Sequence, residues 1–260
     1  MFSKFDPKDI AKKWQDLREK EDVYRSVEDP SKPKFFVPAQ FPYPSGEWLH
    51  TWHTKVFSAA DVVARFKMLH GYSVLNPMWW DAFGLPAENY AMKNKVHPSV
   101  AVAKNIEVFK NQCKIFWWSF DWDREINTTA PDYYKWTQWI FLKLYDSYFD
   151  EKENKAKSIS ELESKIKSWE IKVEKDKIKE YIDWHRLAFV DYKPINRCPK
   201  CMTWLANEDL EDGKCERCWS EIEQKPMRQW VLRITKYAER LFDGLDAMNW
   251  DKSLIELEKN

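Results

Sequence analysis

Near the start of the chain, apolar and polar positions follow the order strand, turn, helix. The apolar run 35–37 is short and made of β-favouring residues, so it predicts a buried strand. Beyond residue 53, apolar side chains recur every three or four positions, which is the period of a helix with one buried face. These side chains are Val56, Phe57, Ala60, Val63 and Ala64. The strand and the helix are joined by a proline-rich turn and two histidines, and together they predict an α/β fold.

The same periodicities predict further elements on either side. They are a helix over 6–20 that opens at Asp6 and Pro7, a strand over 72–75 that ends at Asn76 and Pro77, a helix over 98–117, and an aromatic helix over 133–145. Cys113, on the third of these, is interpreted as a buried small hydrophobe. The aromatics of the last helix have the chemistry to stack on RNA bases, but their helical spacing favours core packing.

From Asp150 to about Tyr181 the composition shifts to lysine and glutamate. Apolar residues in this segment alternate at spacings of three and four, which predicts a short coiled-coil seam. They are Ile159, Leu162, Ile166, Trp169 and Val173. We interpret 151–186 as a charged helical segment whose charge run forms a solvated face, in preference to a nucleic-acid-binding surface.

Length and charge limit the possible functions. The 260 residues suffice for one full domain and a small one. Because 42 Lys and Arg balance 42 Asp and Glu, the net charge gives no overall attraction to nucleic acid, and any contact with nucleic acid must be local. The chain has no apolar run near 18 residues and no amino-terminal signal pattern, which predicts a cytoplasmic protein without a membrane partner.

His50 and His53 lie three residues apart at the start of the first periodic helix. Two imidazoles at this spacing can face the same anion and each offer an N–H donor. The first N–H groups of a helix that follows a strand are also unpaired and point to where parallel sheets bind ligands. A triphosphate would fit this arrangement, although half of a metal site or ordinary surface residues would give the same spacing.

Four cysteines form two C-x-x-C pairs separated by thirteen residues. They are Cys198, Cys201, Cys215 and Cys218. Four thiolates at this spacing are typical of a closed, tetrahedral structural zinc ribbon that folds with its metal. Disulfides and a redox C-x-x-C are the competing interpretations; the lack of a signal peptide and the presence of two matched pairs favour zinc.

Three sequence motifs together resemble the amino-terminal catalytic half of bacterial leucyl-tRNA synthetases, which are class I enzymes. The motifs are Phe41-Pro-Tyr-Pro-Ser-Gly46, His50-x-x-His53 and Trp80-Asp-Ala-Phe-Gly-Leu-Pro-Ala-Glu-Asn89. The resemblance runs from about Phe5 to the end of the chain, interrupted near 151–186. It implies the first half of a Rossmann-like class I catalytic domain, with the helical insertion and a small zinc ribbon added.

The resemblance also implies roles for individual residues. His50 and His53 would stabilise the phosphates of ATP, which binds with Mg²⁺, while the carboxylate of leucine attacks the α-phosphate. Trp52 would lie in the same ATP site. Phe41 and Tyr43 would line the leucine site, and Asp81 would hold the substrate ammonium, unless it merely caps a helix. Such chemistry works by positioning the reactants and by aiming donors at charge that develops on phosphorus.

On this resemblance the chain divides into four parts. They are 1–150, the amino-terminal half of the catalytic domain; 151–186, the insertion; 187–225, the zinc-ribbon part of the connective insertion; and 226–260, the start of the connection to an editing domain. The chain would then be an amino-terminal part of a longer, monomeric enzyme that ligates leucine to tRNA(Leu), and inactive by itself. A non-catalytic binding or regulatory paralogue, or a synthetase for isoleucine, valine or methionine, is the alternative.

The tryptophan and glycine counts are unusual. Glycine makes up about 7% of an average protein, yet this chain has 5 Gly and 16 Trp. Six tryptophans stand where the resembling family usually has glycine: Trp48, Trp52, Trp79, Trp117, Trp204 and Trp219. At Trp52 the family backbone approaches the adenine ring, so an indole would take the place of the base. Our hypothesis is that the source organism reads UGA codons as glycine; a diverged, inactive paralogue is the alternative.

Overall fold

A computed structural model describes residues 6–44 and 48–260 of the chain. Phe5, where the family resemblance begins, and Ser45 and Gly46 of the proline-rich motif lie outside the described residues. The chain forms two compact units, Met1–Trp136 and Thr137–Asn260. None of the described helices combines the length and the apolar character needed to cross a membrane.

The first unit alternates helices with parallel strands, as the apolar pattern predicts. Its elements are α1 (Pro7–Lys20), β1 (Lys34–Phe36), α2 (Thr51–Leu69), β2 (Ser73–Leu75), β3 (Pro77–Trp80), α3 (Leu85–Asn94), α4 (Pro98–Phe116), β4 (Asp121–Asn127) and α5 (Pro131–Tyr145), which continues into the second unit. Strand β1 pairs in parallel with β2, and β3 pairs in parallel with β4. Asp6 caps α1 by accepting the Lys8 backbone N–H at 2.8 Å.

The second predicted strand, β2, ends at Leu75, just before Asn76 and Pro77 as expected, but it is followed by a strand that the sequence pattern did not predict. The chain resumes extended structure at Pro77, where β3 begins, because the first residue of a strand does not need an N–H group for the ladder. Asn76 is buried in the break and donates through Nδ2 to the Ser119 carbonyl at 2.9 Å. One extended segment therefore has β1 beside its first half and β4 beside its second.

The core of the first unit lies where α2, α3 and α4 pack against β3 and β4. Its buried members are Phe57, Met78, Trp80, Ala82, Ala87, Val102, Ile106, Phe109, Cys113, Trp118 and Phe120. Cys113 is fully buried in this core, as predicted, and burial raises the pKa of its thiol to about 12. The core fixes α2 and α4 on both sides of the loop that follows β1.

The second unit is built on an antiparallel sheet in the order β11, β7, β8. Its elements are β5 (Ser147–Asp150), β6 (Lys155–Ser158), α6 (Ile159–Lys167), α7 (Ile178–His185), β7 (Ala188–Cys198), β8 (Thr203–Leu205), β9 (Leu210–Glu211), β10 (Lys214–Cys215), β11 (Glu223–Leu232), α8 (Ala238–Gly244) and α9 (Lys252–Lys259). Strands β5 and β6 form a hairpin, as do β9 and β10. Four short 3₁₀ turns lie at Lys175–Lys177, Asn207–Asp209, Ile234–Tyr237 and Leu245–Ala247.

The coiled-coil prediction for the charged insertion is wrong. Helix α6 ends at Lys167, so Trp169 and Val173 lie beyond the helix and cannot continue a seam. The chain instead reverses into α7, and the apolar residues form a small local core. Its buried members are Tyr148, Ile159, Leu162, Ile166 and Ile182. The apolar spacing was compatible with a seam, but nine helical residues are too few to form one.

The core-packing prediction for the aromatic helix is also wrong for the described chain. No residue of α5 is buried, and Trp136 and Trp139 are 58% and 52% exposed. Within the second unit, Phe141 contacts Trp230 with ring centroids 5.0 Å apart. Helical periodicity identifies which residues share a face, but it does not supply the neighbour that would cover that face.

Candidate functional site

The loop between β1 and α2 is held from three directions by residues distant in sequence. Asn105 of α4 donates through Nδ2 to the Pro44 carbonyl at 2.9 Å, and Gln112 Oε1 accepts the Leu49 N–H at 2.8 Å. The Asp81 N–H donates to the Pro42 carbonyl at 3.1 Å. These contacts place the described parts of the proline-rich motif beside the carboxyl end of β3 and the two histidines at the start of α2.

His50 and His53 lie together at the amino terminus of α2, as predicted. Their rings are nearly parallel, with centroids 5.5 Å apart. The His50 N–H donates to His53 Nδ1 at 2.9 Å, so a neutral His53 carries its proton on Nε2. His53 is only 3% exposed, whereas His50 lies at the surface. The pair therefore combines one exposed imidazole with one buried imidazole of fixed tautomer.

Electrostatics keep His53 uncharged. Burial lowers the pKa of His53 below its usual value of 6.5, and the nearby His50 lowers it further. A neutral ring with its proton on Nε2 is a hydrogen-bond donor at neutral pH. This arrangement suits the binding of an anion through a hydrogen bond, because the donor does not require a buried positive charge.

Trp52 covers one face of His53. The two rings stack with centroids 3.9 Å apart, and the indole remains 43% exposed. Trp48, just before the histidines, is 73% exposed. The indole of Trp52 therefore occupies the space directly over the buried histidine.

Phe41, Tyr43 and Asp81 lie around the carboxyl end of β3. Burial raises the pKa of the Asp81 carboxyl, and a hydrogen bond with the Tyr43 side chain partly offsets the rise. Phe41 contacts Trp79 with ring centroids 5.6 Å apart. A half-buried carboxylate beside aromatic rings can bind a cationic group. Burial destabilises the negative charge of the carboxylate, and a bound cation would stabilise that charge again.

Asp81 is not a helix cap, which removes one alternative interpretation of this residue. Helix α3 begins at Leu85, and its N-cap is Gly84, whose φ of 106° lies in a region that glycine adopts readily. The Ala82 N–H donates to Thr128 Oγ1 at 3.0 Å, and the Thr128 N–H donates to the Trp80 carbonyl at 3.2 Å. The Asp81 segment is thus positioned by Thr128 and not by α3.

Sequence reasoning missed the residues that position the site. Asn105 and Gln112 are polar residues on α4, and Asn105 is fully buried within the apolar face that carries Ile106 and Phe109. A buried polar residue on an apolar helical face needs a hydrogen-bond partner, which was the available signal. Nothing in the local sequence singled out Thr128.

The four predicted zinc ligands converge in the second unit. Their sulfur atoms all lie within 4.8 Å of one another, and Cys198 Sγ lies 3.4 Å from Cys218 Sγ. Four thiolates around one zinc at about 2.3 Å would be separated by roughly 3.8 Å. All four are free thiols, so neither C-x-x-C pair is a disulfide in the described chain.

The chemistry of the cluster fits a metal. Burial raises the pKa of Cys201 to about 12 with help from the neighbouring thiols, while hydrogen bonds with Ser220 lower the pKa of Cys218 to about 6. A divalent cation at the centre would remove the mutual repulsion of four thiolates. Because the donors are four sulfurs with no position left open, the site suits a structural zinc ion.

Comparison with known proteins identifies the family of the chain and solved structures with a similar fold. The family described as tRNA synthetases class I (M) matches residues 35–259. In the crystal structure of the Agrobacterium radiobacter K84 agnB2 LeuRS–tRNA–LeuAMS ternary complex, the similar LeuRS chain is 28% identical with a TM-score of 0.73. The similarity covers 99% of this chain and 28% of that one.

Two Mycobacterium tuberculosis methionyl-tRNA synthetase structures with methionyl-adenylate share the fold. They are 18% and 19% identical, with TM-scores of 0.56 and 0.55. Each similarity covers 83% of this chain and 35% of the other. The chain thus spans about a third or less of the length of the synthetases that it resembles.

Proposed function

Because this chain belongs to the class I tRNA synthetases, we propose that it is part of an enzyme that activates leucine with ATP and ligates it to tRNA(Leu). The observation that carries the choice of leucine is the similarity to a LeuRS chain over 99% of this chain, against 83% for the methionyl enzymes. The chain spans 28% of that LeuRS, so the activity is proposed for the complete enzyme and not for these 260 residues alone.

In the proposed reaction, a carboxylate oxygen of leucine attacks the α-phosphorus of ATP, and pyrophosphate leaves with Mg²⁺. The leucyl group of the adenylate then passes to a hydroxyl of the tRNA, and AMP leaves. The enzyme needs no covalent intermediate of its own, because positioning and electrostatic stabilisation supply the catalysis.

His50, His53 and the first turn of α2 would bind the ATP phosphates. The unpaired N–H groups of a helix amino terminus attract anions, and the neutral His53 adds an Nε2–H donor of fixed tautomer. His50, exposed beside it, would add a second donor. This role remains a proposal that rests on the paired geometry.

Asp81 would bind the leucine ammonium, with Tyr43 beside it and Phe41 lining the side-chain pocket. The raised pKa of Asp81 supports this role, because an incoming cation would stabilise the carboxylate that burial destabilises.

We also propose that Cys198, Cys201, Cys215 and Cys218 hold one structural zinc ion, which the closeness of their sulfur atoms supports.

The finer division of the chain remains a proposal as well. The segments 1–150, 151–186, 187–225 and 226–260 would be half of the catalytic domain, an insertion, a zinc-ribbon part and the connection to an editing domain. A cytoplasmic, monomeric enzyme is consistent with the proposed activity in translation.

The test is amino-acid-dependent ATP–pyrophosphate exchange by the complete enzyme that contains this chain. Leucine, isoleucine, valine and methionine would be compared at equal concentrations. We expect kcat/KM for leucine to exceed that for the other aliphatic amino acids by about 10–200-fold, because small differences in apolar groups give selectivity of this size. Exchange driven best by methionine or another amino acid would refute the leucine assignment.

A second candidate function is that of a non-catalytic binding paralogue. It is favoured by the indole of Trp52, which stacks over His53 at 3.9 Å where the nucleotide base is proposed to lie. Calorimetric titration with ATP separates the two functions. Failure of both the protein with Trp52 and a Trp52→Gly variant to bind ATP would favour the paralogue.

A further inference from the structure

Three tryptophans adopt a backbone conformation that suits glycine. Trp117, Trp169 and Trp219 have φ angles of 60°, 63° and 56°. In this left-handed region the Cβ atom of an L-residue approaches the following carbonyl oxygen, so bulky residues are rare there. Glycine has no Cβ atom and enters the region without this clash.

Two of these residues end helices. Trp117 follows α4, and its N–H donates to the Lys114 carbonyl at 3.1 Å. Trp169 follows α6; its N–H donates to the Ile166 carbonyl at 3.2 Å, and the Ile171 N–H donates to the Lys165 carbonyl at 3.1 Å. A left-handed residue that satisfies the last helical carbonyls in this way is most often glycine.

The third residue follows the second zinc knuckle. The Trp219 N–H donates to the Cys215 carbonyl at 2.8 Å, which closes the turn around the sulfur atoms. Met202 holds the equivalent place after Cys201, with a φ of 54°. The backbone after each C-x-x-C pair therefore adopts the left-handed conformation whichever side chain is present, and the indole of Trp219 is not needed for it.

Buried indole N–H groups give independent evidence. The Nε1 atoms of Trp79 and Trp117 are buried without a hydrogen-bond partner. Their sequence neighbours are satisfied, since Trp80 Nε1 donates to Glu125 at 2.7 Å and Trp118 Nε1 donates to Ser58 at 3.1 Å. A buried donor without a partner is destabilising, and native tryptophans usually avoid it.

We infer that Trp117, Trp169 and Trp219 are glycine in the natural protein, so that the proposed reading of UGA as glycine extends to Trp169. Trp169 lies in the segment 151–186, outside the sequence motifs from which the other six glycine positions were inferred. Its assignment rests on backbone geometry alone and is independent of which amino acid the enzyme activates. Trp80 and Trp118 remain tryptophan.

Peptide mass spectrometry of the protein isolated from its source organism tests this inference. The tryptic peptide 115–124 contains Trp117, Trp118 and Trp122, so it carries its own controls. We expect glycine at the first of these positions and tryptophan at the other two, and glycine at 169 in the peptide 168–172. Tryptophan at 117, 169 or 219 would overturn the inference.

Unfolding measurements on the 260-residue chain with tryptophan at these positions provide a second test. Trp169 and Trp184 are both exposed, at 68% and 60%, but Trp184 has the backbone of helix α7. Trp169→Gly should raise the unfolding midpoint by about 2–4 °C, because it relieves left-handed strain. Trp184→Gly should lower the midpoint, since glycine disfavours helix. A lower midpoint for Trp169→Gly would contradict the inference.

Discussion

His53 illustrates how two local contacts can define the chemistry of one side chain. The backbone N–H of His50 holds Nδ1 as an acceptor, and burial keeps the ring neutral. The proton of the neutral ring must therefore lie on Nε2, which makes that nitrogen a hydrogen-bond donor. A surface histidine with the same sequence spacing would have neither property.

The stability of the protein should depend on pH through His53. Its pKa is lower in the folded state than the value of 6.5 expected when unfolded, so the unfolded chain binds more protons at mildly acidic pH. The free energy of unfolding should therefore fall as the pH drops below about 6.5. Denaturant unfolding between pH 5 and 8 measures this, and the slope should be shallower in His53→Gln. An equal slope in both proteins would contradict a buried, neutral His53.

Trp52 should obstruct nucleotide binding. Replacing it with glycine in Trp52→Gly removes the ring that stacks on His53 and should increase ATP affinity at least tenfold, measured by calorimetry on the complete enzyme. Trp14→Gly, on the exposed surface of α1, serves as the control and should leave ATP affinity unchanged. Equal ATP affinity in the enzyme with Trp52 and in Trp52→Gly would show that the indole does not occupy the place of the base.

Asp81→Asn should weaken leucine binding with little effect on the fold. The variant removes the charge that is proposed to pair with the ammonium, and a hydrogen bond to a charged group contributes about 1.5–3 kcal/mol. The KM for leucine should rise about 10–100-fold in pyrophosphate exchange. Asp123→Asn, which alters an exposed ion pair with Arg25, should leave this KM unchanged. A similar change in both variants would argue against direct substrate contact by Asp81.

At the scale of elements, α4 acts as the support of the site. One face of this helix joins the core, and from it Asn105 reaches the Pro44 carbonyl while Gln112 reaches the Leu49 N–H. The described residues of the loop, 37–44 and 48–50, contain no helix or strand, so these hydrogen bonds, and not regular secondary structure, fix their path. The position of the proposed leucine pocket thus depends on a helix about sixty residues further along the chain.

Asn105→Ala should loosen this loop. It leaves the buried Pro44 carbonyl without its donor, which costs about 1–3 kcal/mol of the free energy of unfolding, and it should also raise the KM for leucine. Asn94→Ala is a matched control, because the Asn94 side chain is exposed and bonds only to Tyr90 one turn earlier. Denaturant unfolding and pyrophosphate exchange measure both effects. A stability loss without any change in KM would limit Asn105 to a role in the core.

Comparison of predicted and observed elements shows where periodicity suffices. The first strand, α2 and α4 were predicted because apolar residues at a fixed period identify a buried face. The coiled-coil seam failed because the spacing of Ile159, Leu162 and Ile166 does not reveal that the helix ends at Lys167. For α5, periodicity found the aromatic face but gave no information about what covers it.

At the scale of the whole molecule, the four-cysteine cluster brings together segments that are short and weakly structured. Strands β8, β9 and β10 have only two or three residues each. Strands this short form few backbone hydrogen bonds and bury little apolar surface. The folding of such small modules usually depends on a bound metal ion.

The purified protein should contain one zinc ion per chain. Chelation should remove hydrogen-exchange protection from residues 196–221, while α2 and α4 in the other compact unit keep theirs. Cys215→Ser should abolish zinc binding. Cys113→Ala should retain one zinc ion, because Cys113 is a buried free cysteine that does not belong to the four-cysteine cluster. Zinc content by mass spectrometry and exchange rates by peptide analysis test both statements. A full complement of zinc in Cys215→Ser would rule out the four-cysteine site.

The sequence by itself determined the α/β class, the resemblance to the synthetase family, the paired histidines and the four cysteines. These features are encoded in residue types at short, fixed spacings, so no distant contact was needed to recognise them. Tertiary structure alone decided the tautomer of His53, the bond between Tyr43 and Asp81, the support from Asn105 and the left-handed backbone of three tryptophans. Each of these depends on how the folded backbone directs a residue or on a contact between residues far apart in sequence, which residue spacing does not specify.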